Sequence, residues 1–215
     1  MLLRRFVNAA LRLLAREQWD GASVSHFSRL LVKTGGPLCA NDDKVPDSLT
    51  YHLTDVFLTE FEKALGSEEA ADSLGVQTAL PAFLSLLKPF VDTAVTCHSS
   101  TVYEKIIKNV FEPILKDCLA AARGDENSLR MTKRRKFDVV EDEEEAKIEF
   151  PRILAFTHLS PRSLRSRVFK MLFESASRED AVPSRRRTLY VLYQEEKQRK
   201  EAAGENSEDE DEDEE

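Results

Sequence analysis

His52 and Asp55 stand three residues apart, the spacing that brings two side chains together on one helical face. An acid/base pair of this kind also needs a third group within reach of a substrate. No such partner is evident nearby, so the pair reads more simply as one that orients its helix against a neighbour. Cys97 and His98 could open a metal or thiol site, but no second pair follows at zinc spacing, and His26 and His158 are isolated. Gly35 and Gly36 lack the lysine that a phosphate-binding loop places at a helix start. These residues predict no enzyme, no metal and no cofactor.

The basic residues say more. Lys133, Arg134, Arg135 and Lys136 form an uninterrupted run in a polar stretch, as an exposed nuclear import signal requires. Arg162, Arg165 and Arg167, with Arg185, Arg186 and Arg187, make the last third of the chain distinctly basic. They are candidates for contacts with RNA phosphates, with a solvated helix face as the plainer alternative. Aromatic residues are not interleaved for base stacking, which argues against sequence-specific reading. Trp19, the sole tryptophan, reads as a core anchor at a helix end, with a partner hot spot as the alternative. Ser207 lies among acids, an acidophilic kinase type of site whose phosphorylation would only deepen an existing charge.

The elements carrying these residues are helices. From Val45 to Leu65, apolar Leu49, Leu53, Val56, Phe57, Phe61 and Leu65 mark one helical face, with Pro46 and Asp47 as start and Gly66 as stop. Leu3, Phe6, Val7, Ala10, Leu13 and Leu14 mark a first helix, and Ser23 is placed to cap a second. Thr34 to Val45 reads as a loop. A helix is expected from Thr78, with Pro81 in its first turn and a kink or break near Leu86 caused by Pro89. Another runs from Ser99 to Ala122, with a Thr101–Glu104 capping box and a bend at Pro113. Ser160–Pro161 and Ser184 start the last two.

Composition agrees. The chain has 215 residues, 41% hydrophobic and 33% charged, with only 7 glycines. That length supports one core plus tails. The net charge of −8 hides an asymmetry: residues 205–215 hold nine acids and no base, so the remainder carries +1. Without the five acids of Glu141–Glu145 it reaches +6. Such asymmetry suits a protein that meets nucleic acid or basic partners. Three cysteines without a C-x-x-C pair predict reduced thiols. No apolar run approaches the roughly 20 residues of a membrane span, so no membrane is expected, and no small-molecule substrate is expected either. The resulting fold class is all-α, a HEAT-like helical-repeat solenoid or an irregular helical bundle. Its expected divisions are a helical body (1–123), a charged flexible linker (124–147), C-terminal helices packing on the body (148–200) and a disordered acidic tail (201–215).

Several blocks, in order, carry a resemblance. They are L-L-R-R-F-V-N-A-A-L-R-L-L from Leu2, ending with Trp19, and V-P-D-S-L-T-Y-H-L-T-D-V-F-L-T-E-F from Val45, the most specific. L-L-K-P-F-V-D-T-A-V-T from Leu86, V-F-E-P-I-L from Val110, V-F-K-M-L-F-E-S-A-S from Val168 and R-R-T-L-Y-V-L-Y from Arg186 follow. Together they resemble the ribosomal RNA processing protein 1 family of nucleolar factors in large ribosomal subunit assembly. The resemblance implies a repeat-like helical fold, no catalysis, residence in the nucleus and nucleolus, and contacts with assembly proteins and pre-rRNA in early large-subunit precursors. It carries over no site residue. Members of that family have further helices before the first block, whereas Met1 sits directly on it here. The expectation is a shortened variant or truncated gene model, whose first helix exposes apolar surface. The functional expectation is a non-catalytic nucleolar scaffold; the rival is an acidic-tailed nuclear chaperone for basic proteins.

Overall fold

Helices, with one π turn, are the only regular structure among the described residues of this computed structural model. It describes residues 2–39, 41–66, 76–133 and 147–202, with 76–78 and 124–133 in backbone only. In chain order they are α1 (Leu2–Arg16), α2 (Gly21–Val32), α3 (Asp47–Leu65), α4 (Val76–Thr96) and α5 (Ser100–Ile106). The π turn Ile107–Phe111 leads into α6 (Glu112–Lys133), followed by α7 (Pro151–Phe156), α8 (Pro161–Ala176) and α9 (Pro183–Ala202). The architecture is all-α, a bundle with solenoid-like stacking. Helix α3 packs against α1, α5 and α7, while α4 packs against α2, α5, α8 and α9.

The apolar spacing of α3 works as expected, since Leu53, Phe57 and Phe61 are fully buried. Phe61 sits at the centre of an aromatic cluster. Its ring centroid is 5.3 Å from Trp19, 5.6 Å from Phe156 and 6.2 Å from both Phe57 and Phe83. Trp19 meets Phe156 edge-on at 5.2 Å, so one cluster joins the end of α1 to α3, α4 and α7. Trp19 is therefore a core anchor. It and Gln18 hold φ values of 55° and 53°, a left-handed turn that costs strain in non-glycine residues and is stabilised by burial of the indole.

Helix starts differ from the sequence reading. Asp20, not Ser23, caps α2, its carboxylate accepting from the Ser23 N–H at 3.0 Å. Asp47 makes no cap of α3; its carboxylate takes bonds from the hydroxyls of Tyr51 and Ser99 instead. Ser99 itself caps α5 through the Val102 N–H, displacing the expected Thr101–Glu104 box. Ser160 caps α8 as its sequence predicts, accepting from Ser163 N–H.

Three prolines give the larger surprises. Helix α4 starts at Val76, which puts Pro81 beyond the first turn, and it continues unbroken through Pro89 to Thr96. Proline lacks the N–H that would bond the carbonyl four residues back. Here that carbonyl, Ser85 O, accepts from the Ser28 hydroxyl of α2 at 2.8 Å. A tertiary bond thus replaces the helical one. Near Pro113 the chain widens over Ile107–Phe111, where the Glu112 N–H bonds Ile107 O, five residues back. This π turn absorbs the register change and α6 runs on to Lys133, past the Ala122 end expected from the sequence.

Residues Ala79–Thr96 of α4 also have the length and apolar composition of a membrane span, which the sequence reading had excluded. In the fold that stretch is mostly buried among α2, α5, α8 and α9, as the core helix of a bundle would be. The paired glycines follow the end of α2: Gly35 adopts φ +79°, and Gly36 lies so close to the Leu31 carbonyl that a Cβ would clash at 2.5 Å. The helix itself leaves at Lys33, whose backbone is extended, and the glycines let the following chain fold back until the Leu38 N–H reaches Leu31 O at 2.8 Å.

Candidate nucleic-acid interface

The six arginines singled out in the last third separate into two groups. Arg165 faces inward, with both nitrogens of its fork on Glu196 of α9 at 2.8 and 2.7 Å. It also donates to the Leu115 carbonyl of α6 and lies over the Phe169 ring at 5.1 Å. Arg199 adds two more bonds to Glu196, at 3.0 and 2.9 Å. Burial alone would raise the pKa of Glu196, but the Arg165 and Arg199 hydrogen bonds outweigh it and pull the carboxyl down to about 2. Arg186 donates to the carbonyls of Ala176, the last residue of α8, and of Arg178 just beyond it. Arg185 bonds His98 O at 3.1 Å and covers the Tyr103 ring at 4.8 Å. These three hold helices together.

Arg162, Arg167 and Arg187 remain at the surface or half-buried. Arg167 joins two lysines absent from the sequence list. Helix α8 presents Arg167, Lys170, Met171 and Glu174 to an open groove of about 340 Å³, and α4 supplies Leu84, Ser85 and Lys88 on the other wall. Lys88 lies 3.6 Å from Asp92, but that carboxylate is already held by Arg178 at 2.5 Å. The groove is thus bordered by three cations and one acid, Glu174, over the apolar Leu84 and Met171. Lys170 follows Arg167 by one helical turn, a signal within the sequence. Lys88 carries no such signal, because only the packing of α4 on α8 brings it there. Chemically, the arrangement can neutralise a few phosphates of a backbone threading the groove. Of the import-signal run, only the backbone of Lys133 is described, at the end of α6; Arg134, Arg135 and Lys136 lie outside the described residues.

The chemistry considered at the outset resolves into packing. Asp55 accepts from Asn109 at 2.7 Å and lies 3.8 Å from Lys105, beside the π turn. His52 Nε2 is buried without a hydrogen-bond partner. Among the described residues, no group of three histidine, cysteine or acidic side chains could hold a metal ion. All three cysteines are free thiols. Burial pushes the Cys97 thiol up, and that of Cys118 to about 12.

Four carboxylates that went unremarked in the sequence organise the fold around this surface. Asp117 of α6 receives the returning chain through the Glu149 and Phe150 N–H groups at 3.0 and 2.7 Å. Glu62 of α3 then accepts from Arg152 and Ile153 N–H, both at 3.0 Å, capping α7 from another helix. Glu60, buried on α3, gathers Arg4 and Asn8 of α1 and its own neighbour Lys63, at 2.7, 2.7 and 2.9 Å. Burial opposes its ionisation, yet the bonds from Lys63, Arg4 and Asn8 hold its pKa below the usual carboxylate value. Glu196 is the fourth. Glu60 and Glu196 have basic partners three residues on in their own helices, Lys63 and Arg199, but no local signal shows which other element each of the four joins.

A family model described as "Nucleolar protein,Nop52" matches residues 1–215. A Mus musculus protein, ribosomal RNA processing protein 1 homolog B, is 26% identical over 115 residues, which are 54% of this chain and 14% of that protein. Its Homo sapiens counterpart is 27% identical over 115 residues, with the same shares. Ribosomal RNA processing protein 1 homolog A of Mus musculus is 25% identical over 129 residues, 60% of this chain and 24% of that protein. The chain thus matches well under a third of the length of each of these relatives.

Proposed function

The chain belongs to the Nop52 family of nucleolar proteins, and from that membership we propose that it is a non-catalytic nucleolar scaffold in pre-rRNA processing and large ribosomal subunit assembly. The observation that carries the reading is the family match over residues 1–215, with relatives named for ribosomal RNA processing. In this role the helical surfaces hold assembly proteins. The groove between α4 and α8, with Lys88, Arg167 and Lys170, touches the pre-rRNA backbone, and Arg162 and Arg187 stay as further candidate phosphate contacts. Lys133, Arg134, Arg135 and Lys136 serve as the import signal. A backbone-directed contact of this kind is electrostatic and weakens steeply with salt. Base-specific reading is not part of the proposal, since the groove offers no aromatic ring among its lining residues.

The test is to tag the chain, recover it from nuclear extract, and identify its companions before and after RNase. Large-subunit precursors with their assembly proteins would support the scaffold, and RNase sensitivity would separate RNA-held from protein-held companions. Recovery of histones or other basic proteins without precursor particles would overturn it in favour of an acidic-tailed chaperone. Deletion of residues 205–215 separates these outcomes further: it abolishes binding by a chaperone and leaves a scaffold's associations largely intact.

A further inference from the structure

The groove between α4 and α8 lies beside the point where α9 ends. Glu196 is fixed on Arg165, and one turn further on Lys200 Nζ donates to Ser166 Oγ at 2.7 Å. The last turn of α9 therefore runs along the start of α8. Ser166 immediately precedes Arg167 and stands four residues before Lys170, the spacing of neighbours on one helical face. Helix α9 ends at Ala202, just after Lys200. The chain beyond it thus sets out beside two of the three cations that border the groove, Arg167 and Lys170. Residues 205–215 of that chain hold nine acids and no base. On the groove side, Lys88 and Lys170 are both exposed.

We propose that the acidic segment 205–215 of this same chain docks along the groove between α4 and α8, its carboxylates meeting Lys88, Arg167 and Lys170. Reach is ample. Glu205 follows Ala202 by three residues, up to about 10 Å of extended chain, and residues 205–215 span up to about 36 Å. The wall from Arg167 to Glu174 is only about 10 Å long at helical rise. One pass of the segment can set carboxylates between the cations of both walls, with Glu174 the single acid to skirt. Tethering supplies what exposed ion pairs lack. A segment joined by a few residues acts at roughly millimolar concentration, so a contact of only about 0.1 mM affinity fills the groove about nine-tenths of the time. A free polyanion must then displace the segment, and its apparent affinity falls about tenfold. Docking stands apart from the ribosomal reading; only the competition rests on the groove's proposed contact with the pre-rRNA backbone. Because salt also releases the segment, the groove's own salt slope is read once these acids are neutralised.

The test uses the full chain, dilute and at low salt, with a carbodiimide that couples touching carboxylates to lysine amines. Mass spectrometry should find links from residues 205–215 to Lys88 and Lys170 in the monomer, lost at high salt, while exposed Lys44 and Lys108 stay unlinked. Links spread over all exposed lysines, links confined to dimers, or links to Lys133 and Lys136 in place of the groove pair would overturn the proposal. A second measurement keeps the chain at full length and changes each Glu of 205–215 to Gln and each Asp to Asn. This chain should bind a fluorescein-labelled oligouridylate about tenfold more tightly. The gain should vanish when Lys88→Ala, Arg167→Ala and Lys170→Ala are added, with melting curves confirming that every variant is folded. A gain that survives those three changes would mean general repulsion by the acids and would overturn docking. Groove links with oligouridylate affinity unmoved would uphold docking and overturn the pre-rRNA contact instead.

Discussion

Glu196 shows how a surface-looking composition conceals a structural group. It lies in a helix rich in charge, yet it is 5% exposed and holds both Arg165 and Arg199. Its carboxyl sits at about 2 in the folded chain against an ordinary 4.5. A depressed folded pKa contributes stability above the unfolded value, and that contribution is lost as pH falls from about 4.5 towards 2. The shift corresponds to something on the order of 3 kcal/mol. Glu196→Gln should therefore lower stability by about 3 kcal/mol at pH 7, since it strands the Arg165 charge. The deficit should shrink in urea titrations as pH drops through that window; a deficit constant from pH 7 to pH 2 would contradict the assignment. Glu60 contributes to the same acid limb, so only the difference between variant and parent isolates Glu196. Thiol reactivity follows from burial too. Cys118 and Cys97 are buried and Cys39 is half-exposed, so iodoacetamide at pH 8 should modify Cys39 first in the native chain. Mass spectrometry should find all three modified at comparable rates only in urea.

Helix α4 joins local pattern to tertiary repair. Pro89 strips a hydrogen bond from Ser85 O, and Ser28 of α2 restores one. Ser28→Ala should cost about 1–2 kcal/mol by leaving that carbonyl unsatisfied. In a Pro89→Ala background, where the alanine N–H can bond Ser85 O, the same change should cost little. A double-mutant cycle by thermal or urea unfolding should then show a coupling of about 1 kcal/mol; additive effects would dissociate the two residues. The same pair explains what could be read in advance. The three- and four-residue spacing of Leu53, Phe57 and Phe61 identifies α3, because an apolar stripe records its own period. The caps by Asp20, Ser99 and Ser160 are local, but other ends and breaks depend on atoms from elsewhere: Ser28 for Pro89, Glu62 for α7, Ser99 for Asp47. Their partners lie 52 to 91 positions away in sequence, beyond any local window. The same distance hid the candidate site. Arg167 and Lys170 are neighbours on one helix, whereas Lys88 reaches them only when α4 meets α8. Arg165 looked equivalent to Arg167 because charge counting does not distinguish the two faces of α8.

Those two faces give the molecule its division of labour. Inward, Arg165, Arg185 and Arg186 fasten α8 and α9 to α5, α6 and the end of α8 itself. Outward, Arg167 and Lys170 border the groove with Lys88. Substituting the inner set should lower stability, so any loss of RNA association there reports unfolding. The outer set allows a cleaner experiment. Lys88→Ala, Arg167→Ala and Lys170→Ala together remove three cations from one groove. If the groove follows a single-stranded RNA backbone, the slope of log affinity against log salt should become shallower by about 2. Affinity at low salt should fall. Lys33→Ala, which removes an exposed charge at the end of α2, should leave the slope unchanged and serves as the control. Because phosphates carry no sequence, the loss should be uniform across RNAs of different composition. A loss confined to one sequence would require base contacts that this groove does not supply. An unchanged slope in a folded triple variant would place RNA association elsewhere and leave α8 as a protein-facing helix.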